Sequence, residues 1–380
     1  MTYLDRASNL LDAIRANGRY RTIRTHGLGE LLDFSSNDYL GLATHPQVVE
    51  AFHRASRVGS GGARLLGGSH REHSLLEEEL AAWLGRERAL LFSSGYHAAL
   101  GAISVLARTV DTIYSDRLNH ASLIDGIRST RNERVIYEHA ALPPRAARKG
   151  RALIVTESIF SMDGDAVDVG AVLSTLGNDD VLLVDEAHAL GLLGPQGAGA
   201  AHALRDPRVV IMGTLSKALG GQGGFIAGPA PLIELLINAA RPFIFDTALP
   251  PALALAARVA LVLVRDADHL RVRLHDNVAR LREGLQSLGF PTIPDLSPIV
   301  PLILGGEERA VEMAQRLECR KIYAPAIRPP TVPAGTSRIR FSVRADHHSE
   351  YIDLLVQGLA SCLTSSMRKA GHLALGGEER

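Results

Sequence analysis

Val181-Leu182-Leu183-Val184-Asp185-Glu186-Ala187-His188 is a run of four apolar residues that ends abruptly in two carboxylates and an imidazole. Such a run predicts a short strand covered on both faces, as in parallel sheets, rather than a half-exposed antiparallel strand. The same construction recurs on either side. Ala89-Leu90-Leu91-Phe92 leads into Ser93-Ser94-Gly95-Tyr96, and Val209-Val210-Ile211-Met212 into Gly213-Thr214-Leu215-Ser216-Lys217. Ala152-Leu153-Ile154-Val155 leads into Thr156-Glu157-Ser158-Ile159-Phe160-Ser161-Met162-Asp163-Gly164. Helical segments separate these runs, so the pattern predicts an α/β fold with a parallel, helix-covered sheet. The polar residues follow the strand ends, where open α/β sheets bind ligands.

Outward from this block, Leu4 to Ala16 has the spacing of a helix, and Leu31-Leu32-Asp33-Phe34 reads as a short strand. A turn-rich loop follows at Ser35-Ser36-Asn37-Asp38-Tyr39-Leu40-Gly41-Leu42, and glycines mark a second loop from Gly59 to Gly68. His73 to Leu84 predicts a helix with Glu77, Glu78 and Glu79 on its polar face. Beyond the sheet, Ala252–Val264 and the charged stretch Asp266 to Leu288 predict two helices. Ile299–Leu304 and Ile339–Val343 predict strands, with a helix over Glu307–Leu317 between them. These signals predict an N-terminal helix and arm over 1–45, a large domain over 46–268 and a smaller α+β domain over 269–380. The tail beyond Ser365 is expected to fray.

Of 380 residues, 46% are hydrophobic and 22% charged, the make-up of a folded globular chain. Basic and acidic side chains number 41 each, so no bulk positive field exists to hold nucleic acid or a membrane surface. The longest apolar run, Ala252–Val264, contains Arg258 and falls short of the ~20 residues that span a bilayer. Met1-Thr2-Tyr3-Leu4-Asp5-Arg6 carries charge where an export signal needs an apolar core, and a cytoplasmic location is expected. Two cysteines, Cys319 and Cys362, are too few for a disulfide scaffold.

Lysine is rare: only Lys149, Lys217, Lys321 and Lys369 occur, and all but Lys217 directly follow an arginine, as solvated surface residues do. Lys217 follows a strand and precedes glycines. A lysine, unlike an arginine, can lose its proton and form a Schiff base. Ser93-Ser94-Gly95-Tyr96 at a helix start and Thr214-Leu215-Ser216 offer N–H groups and hydroxyls suited to a phosphate. Asp185 and His188 are spaced to face one bound ring, and His120 follows Asn119 in another polar loop. Asp185-Glu186-Ala187-His188 also spells a helicase box, but no lysine sits in the Gly-Lys-Ser/Thr sequence that reading requires. The 15 histidines include no His-Glu-x-x-His, and no metal site is expected. Pyridoxal 5′-phosphate is the cofactor that uses a lysine, a carboxylate for its ring nitrogen, a stacking group and a phosphate cup together.

With these motifs the chain resembles the α-oxoamine synthases, among the fold-type I pyridoxal-phosphate enzymes, from about Phe34 to the end of the small domain. The resemblance rests on Ser35–Leu42, Asn119-His120-Ala121-Ser122-Leu123, Ser161–Gly164, Asp185–His188, Thr214–Ala218, Arg241–Pro251 and Ile327–Thr336. It implies a large domain with a mostly parallel seven-stranded sheet covered by helices, plus a smaller α+β domain. It implies that Lys217 binds the cofactor covalently and later removes the α-proton, while Asp185 pairs with the ring nitrogen and His120 stacks on the ring. His188 and Ser161 would bond near the phenolic oxygen, and Gly95, Tyr96 and Thr214 would belong to the phosphate pocket.

A homodimer is implied as well, with Thr247 and Asn37 reaching the partner's site. Arg340, or its neighbour Arg338, would take the amino-acid carboxylate, and Thr331 would contact substrate. The members it is most similar to join L-alanine to a pimeloyl thioester, carried on coenzyme A or acyl carrier protein, in biotin biosynthesis. Sibling pairings remain open, such as glycine with an acetyl group or serine with a long acyl chain. Two departures from the family pattern stand out. Ala189-Leu190-Gly191 has a bulky Leu190 where glycine is usual. Asn17 stands where an N-terminal arginine meets the distal carboxylate, with Arg15, Arg19, Arg21 and Arg24 nearby; Arg19 is the candidate for that contact. Intact Lys217, Asp185 and His120 argue against a non-catalytic binding protein.

Overall fold

The computed structural model describes residues 1–25, 29–142, 150–293 and 297–363. Lys149, Lys369 and the tail beyond Ser365 lie outside the described residues. The chain divides into two compact units, Asn37–Ser161 with Asp165–Val272, and Met1–Ser36 with Met162–Gly164 and Arg273–Arg380.

The first unit is built on a seven-stranded sheet, in the order Arg88–Phe92, Gly224–Gly228, Val209–Thr214, Val181–Asp185, Ala152–Glu157, Thr112–Asp116 and Glu133–Tyr137. Gly224–Gly228 runs antiparallel to both neighbours and the other pairings are parallel, so the sheet is mostly rather than wholly parallel. Every residue of Ala152–Glu157 and Val209–Thr214 is buried, as their unbroken apolar runs require. Helix Gly95–Leu106 lays Ala98, Ala102, Ile103 and Leu106 into one core with Leu153, Val155, Leu183 and Val210. Each fully buried leucine or isoleucine there contributes ~1.5–3 kcal/mol.

The bulky Leu190 is fully buried. A side chain on Gly213 would come within 2.6 Å of its Cδ1, so the neighbouring strand makes room for it with a glycine. Three strands of this sheet escaped the sequence reading. Thr112–Asp116 carries Thr112, Ser115 and Asp116, Glu133–Tyr137 is a mostly exposed edge strand, and Gly224–Gly228 is bounded by glycines, so none shows an unbroken apolar run.

In the second unit, Ser337–Ser342 pairs antiparallel with Ile299–Gly305 and Ala326–Ile327. Helices Glu307–Glu318 and Ser349–Cys362 accompany these strands. Leu32–Asp33 adds a parallel pairing with Ile322–Tyr323, which ties the N-terminal arm to this unit. Helix Tyr3–Ala16 opens with a capping box between Thr2 and Asp5 and buries none of its residues. The strand expected over Ile339–Val343 begins two residues earlier, with Ser337 and Arg338 buried inside it.

His347 is buried beside Phe34, with ring centroids 4.5 Å apart, and its Nε2–H donates to the Asp33 carbonyl at 3.0 Å. Burial, with Arg344 adding, holds its imidazole down to about 4. The folded chain therefore keeps His347 neutral where the unfolded chain begins to bind a proton. Its contribution is complete above the unfolded value near 6.5 and is lost as pH falls towards 4, by roughly 3 kcal/mol in all. Denaturant midpoints measured across that range are expected to fall more steeply for the wild type than for His347→Asn. Equal slopes would show that His347 does not carry the effect.

Candidate active site

Register places the chemistry. Glu157 pairs with Asp185 and Thr214 with Gly224, so Glu157, Asp185 and Thr214 end three consecutive parallel strands at the same edge. Asp185 is buried, and one of its oxygens accepts from the Ala187 N–H at 2.9 Å. The turn after Thr214 brings Lys217 to His188, with Nζ 2.7 Å from Nε2. Gly220, with φ of +66°, closes this turn onto the Lys217 carbonyl at 2.8 Å. A side chain at Gly220 would lie 2.3 Å from the Ala43 nitrogen, so the loop after Asn37 is pressed directly on the lysine turn.

That loop supplies a residue the sequence reading left without a role. The hydroxyl of Tyr39, fully buried, is 2.7 Å from His188 Nδ1 and donates to Asn37 Oδ1 at 3.1 Å. Asp38 holds the loop by accepting from the Leu42 and Ala43 N–H groups at 2.8 and 3.0 Å. Asn37, expected to reach a partner's site, accepts this bond inside its own loop.

His120 caps helix Ala121–Arg128, its Nδ1 accepting from the Ser122 N–H at 3.2 Å. Its own N–H donates to Glu157 Oε1 at 2.5 Å. His120 itself is exposed. Packing of protein around its imidazole nevertheless holds it below its usual range through burial, with Asp185 opposing and Lys217 adding to the effect. Glu157 is driven well above the carboxylate range, first by burial and then by the charge on Asp185, with Lys217 opposing. It stands inside a stretch the sequence reading singled out, but only strand register reveals its neighbour. Glu186 is pushed up to about 7 by burial, although it accepts from the Ala200 and Ala201 N–H groups and the Ser158 hydroxyl.

Beside this cluster, Ser94 caps helix Gly95–Leu106 and accepts from the His97 N–H at 3.1 Å. A side chain at Gly95 would lie 3.4 Å from Thr214 Cβ, and one at Gly224 would lie 2.5 Å from Gly95 Cα, so glycine lets these backbones close up. Thr214 Oγ1 is 2.8 Å from Ser216 Oγ. Tyr96 is half-exposed and its hydroxyl donates to Asp125; Ser161 is buried. Thr247 is exposed, bridged to Ala63, and adjoins Asp246, which bonds Ser93 and His97.

The remaining candidates belong to the second unit. Arg338 is committed to Asp163 and to the carbonyls of Met162 and Thr336, whereas Arg340 donates to Ser342 Oγ at 2.9 Å. Thr331 is exposed. Arg19 has Nη2 3.9 Å from Glu307 and a buried Nε without a hydrogen-bond partner. Arg21 donates to the Pro329 carbonyl at 3.3 Å, and Arg24 pairs with Glu318. Arg328 is held below its usual range by burial and by Arg21. Arg21, Arg24 and Arg328 line a cavity of about 430 Å³ with Tyr20 and Tyr323.

Amine, carboxylates, imidazoles and paired hydroxyls at one strand edge form a donor set that suits pyridoxal 5′-phosphate. The family model for class I and II aminotransferases matches residues 29–359. The 8-amino-7-oxononanoate synthase of Anaeromyxobacter dehalogenans is 44% identical over 374 residues, 93% of this chain and 94% of that protein. The serine palmitoyltransferase of S. paucimobilis, solved with a bound PLP–myriocin aldimine, superposes with a TM-score of 0.86 at 28% identity, covering 95% of this chain and 97% of that one. The 8-amino-7-oxononanoate synthase of Francisella tularensis superposes with a TM-score of 0.75 at 29% identity, over 87% and 97% of the two chains. The cofactor is pyridoxal 5′-phosphate, and the chain belongs to the class I and II aminotransferase family and, within it, to the α-oxoamine synthases.

Proposed function

We propose that the chain joins L-alanine to a pimeloyl thioester, carried on coenzyme A or acyl carrier protein, giving 8-amino-7-oxononanoate, carbon dioxide and free thiol for biotin biosynthesis. The observation that carries this reading is the meeting of Lys217 Nζ with His188 beside buried Asp185 and Glu157 at the sheet edge. Relatives bearing that enzyme's name support the choice of substrates. When bound, pyridoxal phosphate supplies a ring that takes up the electron pair left on the amino acid's α-carbon.

Asp185 would pair with the ring nitrogen and keep it protonated, and His120 would stack on the ring. His188 and Ser161 bond near the phenolic oxygen, and Gly95, Tyr96 and Thr214 form the phosphate pocket. Lys217 would hold the cofactor through its amine, and the same amine is placed to take the proton from the amino acid's α-carbon and to give one back. Arg340 takes the amino-acid carboxylate, a role for which Arg338 is less suited because it is paired with Asp163. Asn37 and Thr331 contact substrate, and Arg19 meets the distal carboxylate of the acyl chain. Thr247 serves the cofactor phosphate of a second copy in a homodimer, in keeping with its exposure beside exposed Phe245. No helix of the described residues is long and apolar enough to cross a membrane, and the proposed location is the cytoplasm.

The test is thiol release from pimeloyl-, acetyl- and palmitoyl-CoA crossed with alanine, glycine and serine. Release confined to alanine with pimeloyl-CoA is expected, and release with another pair would move the chain to a sibling reaction. Lys217→Ala is expected to release no thiol and to yield no cofactor–protein adduct after borohydride reduction, checked by mass spectrometry. Arg340→Ala removes a charge-assisted bond worth ~1.5–3 kcal/mol and is expected to raise KM for alanine ~10–100-fold while sparing KM for the thioester. Arg19→Ala is expected to erase the preference for pimeloyl-CoA over heptanoyl-CoA, which lacks the distal carboxylate. A preserved preference would remove Arg19 from the site.

A further inference from the structure

Lys217, His188, Tyr39 and Asn37 form a directed chain of hydrogen bonds within one unit. Direction follows from its far end. The Asn37 amide oxygen can only accept, so the Tyr39 hydroxyl donates to it, and the Tyr39 oxygen is left to accept from His188 Nδ1. With its proton on Nδ1, His188 presents the Nε2 lone pair to the Lys217 nitrogen at 2.7 Å. Tyr39 has little freedom to do otherwise. It is fully buried, Asp38 bonds the loop at Leu42 and Ala43, and Gly220 of the lysine turn packs directly on Leu42 and Ala43.

We propose that Tyr39 is a positioning residue that fixes the His188 proton on Nδ1, so that Nε2 can relieve Lys217 of a proton when the empty protein captures pyridoxal phosphate. The balance is simple. The Lys217 ammonium gives one proton to His188 Nε2, and the imidazolium keeps its Nδ1–H on the Tyr39 oxygen. The amine nitrogen then bonds to the aldehyde carbon, and the aldehyde oxygen leaves as water with the amine's two remaining hydrogens. Among the groups that feel the charge of Lys217, His120 bonds the Ser122 N–H and Glu157 accepts from the His120 N–H. This inference rests on the cofactor assignment and extends it to a residue outside the expected site.

The test uses the full chain stripped of cofactor. Nitrogen-15 shifts of His188 in the wild type are expected to show a protonated Nδ1 and a bare Nε2; the opposite tautomer would overturn the proposal without any variant. Uptake of pyridoxal phosphate is then followed by visible absorbance and by mass increase after borohydride reduction. Tyr39→Phe keeps the ring and removes the oxygen. Its uptake is expected to be about tenfold slower near pH 7, converging with the wild type at high pH where lysine needs no assistance. An unchanged rate, or a loss equal at every pH as packing damage would give, overturns the role of Tyr39 alone. Absence of uptake by the wild type would overturn this proposal and the cofactor assignment together.

Discussion

Two carboxyl groups on neighbouring strands, Glu157 and Asp185, occupy the same level of a buried sheet edge, and both cannot carry charge there without compensation. Much of the site can be understood as that compensation. Glu157 is driven towards its neutral form, and the backbone N–H of His120 bonds to it, which fixes where helix Ala121–Arg128 begins and where the His120 ring stands. The Ala187 N–H answers Asp185, which shapes the turn that carries His188. Lys217, in the turn after the next strand, opposes the upward push on Glu157. Strand register therefore precedes the chemistry: slipping Ala152–Glu157 by one residue would turn Glu157 to the other face and leave His120 without its anchor.

The sheet was legible where its strands are unbroken apolar runs, because double-sided burial leaves that mark in a single sequence. It was illegible where burial is partial or the partner is distant. Edge strand Glu133–Tyr137 has nothing to alternate against, and Gly224–Gly228, a short segment between glycines, pairs on one side with the distant Arg88–Phe92. Lys217, Asp185 and His188 stood out because their types are unusual after a strand. Tyr39 did not, since a tyrosine in a polar loop has no chemistry until packing puts an imidazole against its hydroxyl. Arg338 and Arg340 lie two apart on one strand and share a face, so spacing cannot rank them; the pairing of Arg338 with Asp163 does.

The N-terminal arm shows the same dependence on distant partners. Its closely spaced arginines each meet a different group. Arg21 meets the Pro329 carbonyl, Arg24 meets Glu318 and Arg19 lies near Glu307. Two ends of the chain thus line one basic cavity, with Arg21 and Arg24 from the arm and Arg328 from the C-terminal half.

The reversed strand Gly224–Gly228 carries a consequence for biosynthesis. Among the described residues Arg88–Phe92 hydrogen-bonds to no other strand, so its ladder cannot form until about 130 further residues have left the ribosome. Throughout that interval the nascent chain holds an apolar segment with unpaired backbone groups, a template for association with neighbouring chains. A chaperone that shields nascent apolar strands would matter most during this window, and slow translation between the two segments would prolong the exposure.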